Sequence, residues 1–89
     1  MNNLNIQNIE IARIQEYKNN PKLHNRTQIA KIRESIREFG FINPVLLDEN
    51  LEIIAGHGRV AAARDMGMHD VPAIILSHLT DAQKRAYRI

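Results

Sequence analysis

Cysteine is absent from the 89-residue chain. Disulfides, thiolate nucleophiles and thiolate metal sites are thereby excluded. Tryptophan is absent too, and the aromatics are only Tyr17, Phe39, Phe41 and Tyr87, a poor basis for the stacking platform that grips single-stranded nucleic acid. No apolar run approaches the roughly 20 residues that a bilayer-spanning helix needs; the longest, counting its proline, is Val71 to Leu76. The start, Met1-Asn2-Asn3-Leu4-Asn5, has neither the basic stretch nor the apolar core of an export signal. With the missing cysteine, this sets the expectation of a cytoplasmic protein with no membrane partner. A strong excess of one charge is also lacking. Twelve Lys and Arg face ten Asp and Glu, a net charge of +2, and the two signs alternate along the chain, unlike the basic stripe of a dedicated nucleic-acid binder.

What is present is one domain's worth of ordinary globular sequence, 44% apolar and 25% charged. Residues 1–8 read as a loose, asparagine-rich lead-in, and Ile9, Ile11 and Ile14 suggest a first short strand. Tyr17-Lys18-Asn19-Asn20-Pro21 is loop chemistry, because proline biases the residue before it away from helix. Asn25 or Thr27 then caps a helix whose Ile29, Ile32, Ile36 and Phe39 fall on one face, stopped by Gly40 and Pro44. Val45–Leu47 and Leu51–Ala55 flank the turn Asp48-Glu49-Asn50 and read as a hairpin. An alanine-rich helix follows from Arg59 to Met66, ended by Gly67; Val71 to Leu76 is a buried strand; Thr80 or Asp81 caps a last helix from Ala82 onward. That helix meets no stop signal before Ile89, so a fragment of a longer protein is expected. The order β-α-β-β-α-β-α indicates an α/β or α+β domain, a small mixed sheet with packed helices.

The place with chemistry is Ile53-Ile54-Ala55-Gly56-His57-Gly58-Arg59. A strand, a glycine turn and a helix start expose backbone N–H groups at the positive end of a helix, which suits a phosphate. Arg59 in the first helical turn can add a two-pronged guanidinium contact. As a cation at the positive end of the dipole it is otherwise misplaced by up to about 1 kcal/mol. It must then meet an anion, extend into solvent or cap a loop carbonyl. The turn is shorter than a P-loop and lacks its Lys-Ser/Thr ending, so by itself it is equally a plain strand-to-helix turn.

Several motifs in order make the sequence recognisable. Asn20-Pro21-Lys22, Ser35-Ile36 with Gly40, Asn43-Pro44-Val45, Ile53 to Arg59, Gly67, Val71-Pro72 and Leu79-Thr80-Asp81-Ala82-Gln83 together resemble the N-terminal domain of the ParB/sulfiredoxin superfamily, the ParB-like nuclease domains. The resemblance runs from about Ile9 to Ile89. It implies a nucleotide pocket with Gly56, His57, Gly58 and Arg59 on the phosphates and Lys22, His24 and Arg26 in support. It also implies a nucleoside triphosphate ligand, CTP among the candidates, with Mg²⁺. The chromosome-partitioning members carry Gly-Glu-Arg-Arg where this chain has Gly56-His57-Gly58-Arg59, so the acidic residue that supports metal and hydrolysis is replaced by His57. The sulfiredoxins carry Gly-Cys-His-Arg; with no thiolate here, that activity is excluded by chemistry. The Gly-His-Gly-Arg version looks most like phage and prophage ParB-like proteins, in which the domain often precedes a DNA methyltransferase. DNA contact through the full-length protein and homodimer formation are further expectations.

The remaining candidates weigh less. No two of His24, His57, His69 and His78 have metal-motif spacing, so no metal site is assigned. Lys31, Arg33, Glu34, Arg37 and Glu38 read as a solvated helix face with i,i+3 ion pairs, and Ser35 as a mid-helix residue near a pocket wall. Lys84, Arg85 and Arg88 form a cationic cluster suited to DNA phosphates or a neighbouring domain. The acids nearest the glycine turn are Asp48, Glu49, Glu52 and Asp65, with Glu52 the best placed for Mg²⁺. That sparse inventory favours nucleotide binding over the alternative, an NTPase, phosphotransferase or nuclease in the same cleft.

Overall fold

A computed structural model of the chain describes residues 5–16 and 26–87. The elements are β1 (Ile6–Glu10), a single 3-10 turn (Ile11–Arg13), α1 (Arg26–Phe39), β2 (Val45–Leu47), β3 (Ile53–Ala55), α2 (His57–Asp65), β4 (Asp70–Ile75) and α3 (Asp81–Tyr87). The four strands form one mixed sheet in the order β1-β4-β2-β3. β4 runs antiparallel to β1 and parallel to β2, and β2 and β3 are the antiparallel hairpin. The expected α/β class and mixed sheet are therefore present.

The alternating pattern of β4 buries Val71 and Ala73, and β2 buries Val45 and Leu47. Ile9, Ile11 and Ile14 from the first segment, Ile53 from β3 and Val60 and Ala63 from α2 complete the core. Side chains of Val and Ile size contribute about 1.5–3 kcal/mol each when fully buried, before entropy. Pro72 lacks the N–H that a two-sided strand needs. Pairing with β2 begins only at Ala73, so the proline sits opposite β1 alone, across from Asn8. α2 lies tight on the sheet because Ala62 and Ala63 are fully buried. It ends in a Schellman arrangement: Met68 N–H donates to Ala63 O and Gly67 N–H to Arg64 O, with Gly67 at φ +74°.

Four expectations need correction. Residues 6–8 belong to β1 rather than to a loose lead-in; they are exposed, so their apolar pattern did not reveal the strand. Ile11 and Ile14 are buried not as strand residues but around the 3-10 turn, after which Gln15 pairs beside Glu52. The second hairpin strand starts at Ile53 rather than Leu51, because Leu51 takes φ +63° in a turn closed by the Asp48 side chain. α2 starts at His57, two residues before the expected Arg59. The long helix α1 differs in burial rather than extent. It packs against α2, yet none of its residues is fully buried, and Phe39 is 62% exposed. Asn25, one of its two proposed caps, lies outside the described residues, and Thr27, the other, is inside the helix.

The hairpin tip is closed by side-chain bonds. Asp48 Oδ1 accepts from the N–H groups of Asn50 (2.8 Å) and Glu52 (3.0 Å), and Lys84 Nζ of α3 donates to Asp48 Oδ2 at 3.2 Å. Glu49 lies on the same ammonium at 3.4 Å. Burial pushes the Asp48 carboxyl up, but the two backbone N–H groups and Lys84 outweigh it, leaving it below its ordinary value. Desolvation likewise pushes Lys84 down, and Asp48 and Glu49 reverse this, leaving it raised. Lys84 is therefore a buried structural cation, which corrects the expectation that it joins Arg85 and Arg88 in a cationic cluster facing DNA or a neighbouring domain. α3 begins with a capping box: Gln83 N–H donates to Thr80 Oγ1 at 3.1 Å, and Thr80 N–H to Gln83 Oε1 at 2.8 Å.

Candidate nucleotide site

β3 delivers the chain to Gly56, whose φ of +104° turns it directly into α2. Two constraints require glycine here. The backbone angle is one that side-chain-bearing residues rarely adopt. A Cβ would also stand 2.7 Å from Val45 Cγ1 and 3.1 Å from Arg59 Nη2. The first helical bond of α2 is Val60 N–H to Gly56 O at 2.9 Å. The N–H groups of the three residues before Val60 have no acceptor within the helix, and Gly56 supplies no side-chain cap.

This turn borders a cleft of about 580 Å³, within the roughly 300–1,000 Å³ of small-molecule sites. Gly56, His57, Gly58 and Arg59 all line it. The facing wall is α1, through Gln28, Lys31 and Ile32. The strand contributes Ile54 and Ala55, and α3 contributes Tyr87. The strand-to-helix turn on an open cleft is as expected from the sequence.

Arg59 takes the third of the three courses open to it: its Nη2 donates to the carbonyl of Pro44 at 3.2 Å. Its Nε is buried with no hydrogen-bond partner among the described residues. Desolvation pushes the guanidinium below its ordinary pKa, and among the described residues no carboxylate stands against it to reverse that. A half-buried cation near the positive end of a helix, held by one neutral carbonyl, leaves room for an anion.

Of the three supporting residues, Lys22 and His24 lie outside the described residues. Arg26 opens α1 but borders a different hollow, with Arg33, Ala61 and Asp65; the structure does not bring it to the glycine turn. Among the described residues no carboxylate lines the cleft. Asp48 and Glu49 are bound to Lys84, and Asp65 is paired with Arg33. Glu52 has its backbone beside Gln15. Ser35 lies on a third hollow beside Phe41 and Arg59, in keeping with a pocket-wall role. His69 and His78 are exposed.

Two cleft residues were not singled out from the sequence. Lys31 was assigned to the solvated face of α1, although Gln28, Lys31 and Ile32 share i, i+3, i+4 spacing on the border of the apolar stripe. Tyr87 carries no site role in the sequence reading; it is 57% exposed.

The family of ParB N-terminal domains matches residues 1–89. The chain belongs to the ParB N-terminal domain family. The ParB-like nuclease domain-containing protein YnaK of Escherichia coli K12 is 51% identical over 75 residues, covering 84% of this chain and 86% of YnaK. The C-terminally truncated chromosome-partitioning protein ParB from Caulobacter crescentus, complexed with CTP-γ-S, superposes with a TM-score of 0.81 at 25% identity. That match covers 96% of this chain and 51% of the truncated ParB, so the present chain spans about half of it. Sulfiredoxin from Arabidopsis thaliana superposes with a TM-score of 0.76 at 18% identity, covering 92% and 94% of the two chains; that likeness is one of fold. Among the described residues no helix is long and apolar enough to cross a membrane.

Proposed function

We propose that this ParB-family domain binds a nucleoside triphosphate, with CTP the leading candidate, in the cleft between α1 and the β3–α2 turn. The observation that carries this reading is the Gly56–Arg59 turn. It sets the first-turn N–H groups of α2 and a partly buried guanidinium, with no carboxylate among the described lining residues, on one open cleft. The nucleotide seen on the Caulobacter ParB supports the choice of ligand class. Gly56, His57, Gly58 and Arg59 take the phosphates, and Lys31 adds a second cation from the opposite wall. Lys22 and His24 stay in the proposal as loop residues; Arg26 is not placed to join them.

The cleft does not fit a protein-held Mg²⁺, since its described lining offers a hard cation no carboxylate. A divalent ion would arrive on the phosphates. The same deficit favours binding over hydrolysis, and no feature of the lining supports a nuclease. On this reading the domain is the nucleotide-responsive module of a longer, DNA-associated protein of prophage or plasmid type. A DNA methyltransferase is one candidate for the following domain, and DNA contact and dimer formation belong to that longer protein.

The test is a calorimetric titration of the chain with the four ribonucleoside triphosphates, with and without Mg²⁺, alongside a phosphate-release assay. Saturable binding of at least one triphosphate with negligible release is the expected result. Binding of none overturns the reading, and rapid release favours the enzymatic alternative.

A further inference from the structure

The cleft lining divides by chemistry. Lys31 and the Gly56–Arg59 turn supply cations and backbone amides, while Ile32, Ile54 and Tyr87 supply apolar surface. A bare phosphate chain has use for the first set alone. The apolar set needs a ligand with a flat or hydrophobic part. Tyr87 is the unusual member, a large ring left more than half exposed at a cleft on a helix whose buried anchor is Lys84.

The attachment lies one turn earlier. Lys84, at i−3 from Tyr87, has a side chain only 9% exposed, and its ammonium is held by Asp48 and Glu49 at the tip of the β2–β3 hairpin. Residues three apart share a helix face. The ion pair therefore fixes α3 at the turn adjoining the ring, on the hairpin whose second strand carries Ile54 and Ala55 into the cleft. An aromatic face gains about 1–3 kcal/mol by stacking on a nucleobase, whichever base it is.

We infer that Tyr87 is the nucleoside-recognising wall of the cleft and that Lys84, seated on Asp48, is the positioning residue that holds it there. The inference rests on the nucleotide reading above and goes further, because it separates recognition of the nucleoside from recognition of the phosphates. Tyr87 makes the site select a nucleotide over an inorganic polyphosphate. Lys84 acts through Tyr87 and touches no ligand.

The experiment is a pair of calorimetric titrations of the full chain, one with CTP and one with inorganic tripolyphosphate. Wild type is expected to bind CTP more tightly. Tyr87→Ala, at an exposed position, should weaken CTP binding at least about fivefold, the low end of base stacking, while tripolyphosphate binding stays unchanged. Tyr87→Phe should keep CTP affinity, since the ring face is retained. Lys84→Met should show the same ligand-selective loss, and Lys84→Arg should recover part of it. A merely structural role for Lys84 would instead weaken both ligands alike. Equal losses for both ligands in Tyr87→Ala, or no loss for either, overturn the inference while leaving the nucleotide site in place. If wild type binds neither ligand, the nucleotide reading itself fails and this inference falls with it.

Discussion

Two tight turns flank the same short hairpin, and they treat buried charge in opposite ways. At the Asp48–Leu51 tip, a backbone strained at Leu51 (φ +63°) is closed by a carboxylate that accepts from two N–H groups and an ammonium. At Gly56, a backbone strained at φ +104° opens onto a cleft, and its guanidinium has one carbonyl and a bare Nε. Burial opposes the charged form at both Lys84 and Arg59. Only Lys84 has carboxylates to reverse the effect, so its pKa is raised while that of Arg59 is lowered. The first turn is complete within the protein and holds the fold together. The second leaves Arg59 Nε without a partner among the described residues, and on the proposed reading an anion completes it.

The comparison breaks most readily at Gly56. Gly56→Ala must accept both a forbidden backbone angle, costing about 1–2 kcal/mol, and a Cβ jammed against Val45, costing about 1–3 kcal/mol more. A fall of about 2–5 kcal/mol in unfolding free energy, read from urea melts, is expected together with loss of nucleotide binding. Next in size is the closed turn. Asp48→Ala removes three charge-assisted bonds from the tip, two from backbone N–H groups and one from Lys84, and should cost at least about 1.5–3 kcal/mol, again by urea melts.

The closed turn also makes stability depend on pH at both extremes. Asp48 lies below its ordinary 3.8 in the folded state. Its contribution is whole above that value and is lost as pH falls through the folded pKa, so acid unfolding steepens below about 3.8. Lys84 lies above its ordinary 10.5. Its contribution is whole below 10.5 and is lost as pH rises through the raised value. Asp48→Asn should flatten the acid limb of a Tm-against-pH curve, and Lys84→Met the alkaline limb. The smallest effect belongs to neither turn. Glu34 and Arg37 form an exposed i,i+3 pair on α1, and Arg37→Ala should change stability by no more than about 0.5 kcal/mol.

The open turn was legible in the sequence, and the closed one was legible as a turn but not in its bond to Lys84, for a physical reason. Strand, glycine, helix start and arginine are contiguous from Ile53 to Arg59, so local backbone rules reach them. The bond between Asp48 and Lys84 spans 36 positions, and no periodicity links an acid in a turn to a lysine on the last helix. The same limit explains why Lys31 and Tyr87 were overlooked: their place on the cleft is set by how α1 and α3 dock. The core strands were readable from apolar runs at Val45–Leu47 and Val71–Ile75. β1 was misplaced because Ile6, Gln7 and Asn8 pair only through their backbone and leave their side chains exposed. The apolar stripe of α1 gave the helix correctly but overstated its burial, since none of its residues is buried and Phe39 is largely exposed.

The most direct test of the open turn is Arg59→Ala, measured for stability and for CTP affinity on the same preparation. Losing the Pro44 contact should lower unfolding free energy by only about 1 kcal/mol. CTP affinity should fall by about 1.5–3 kcal/mol, the worth of a charge-assisted hydrogen bond. Arg59→Lys should recover part of the affinity, because an ammonium cannot make the planar two-pronged contact. If Arg59→Ala binds CTP as tightly as wild type and loses only stability, Arg59 is a structural residue and the Gly56–Arg59 turn is not a phosphate site.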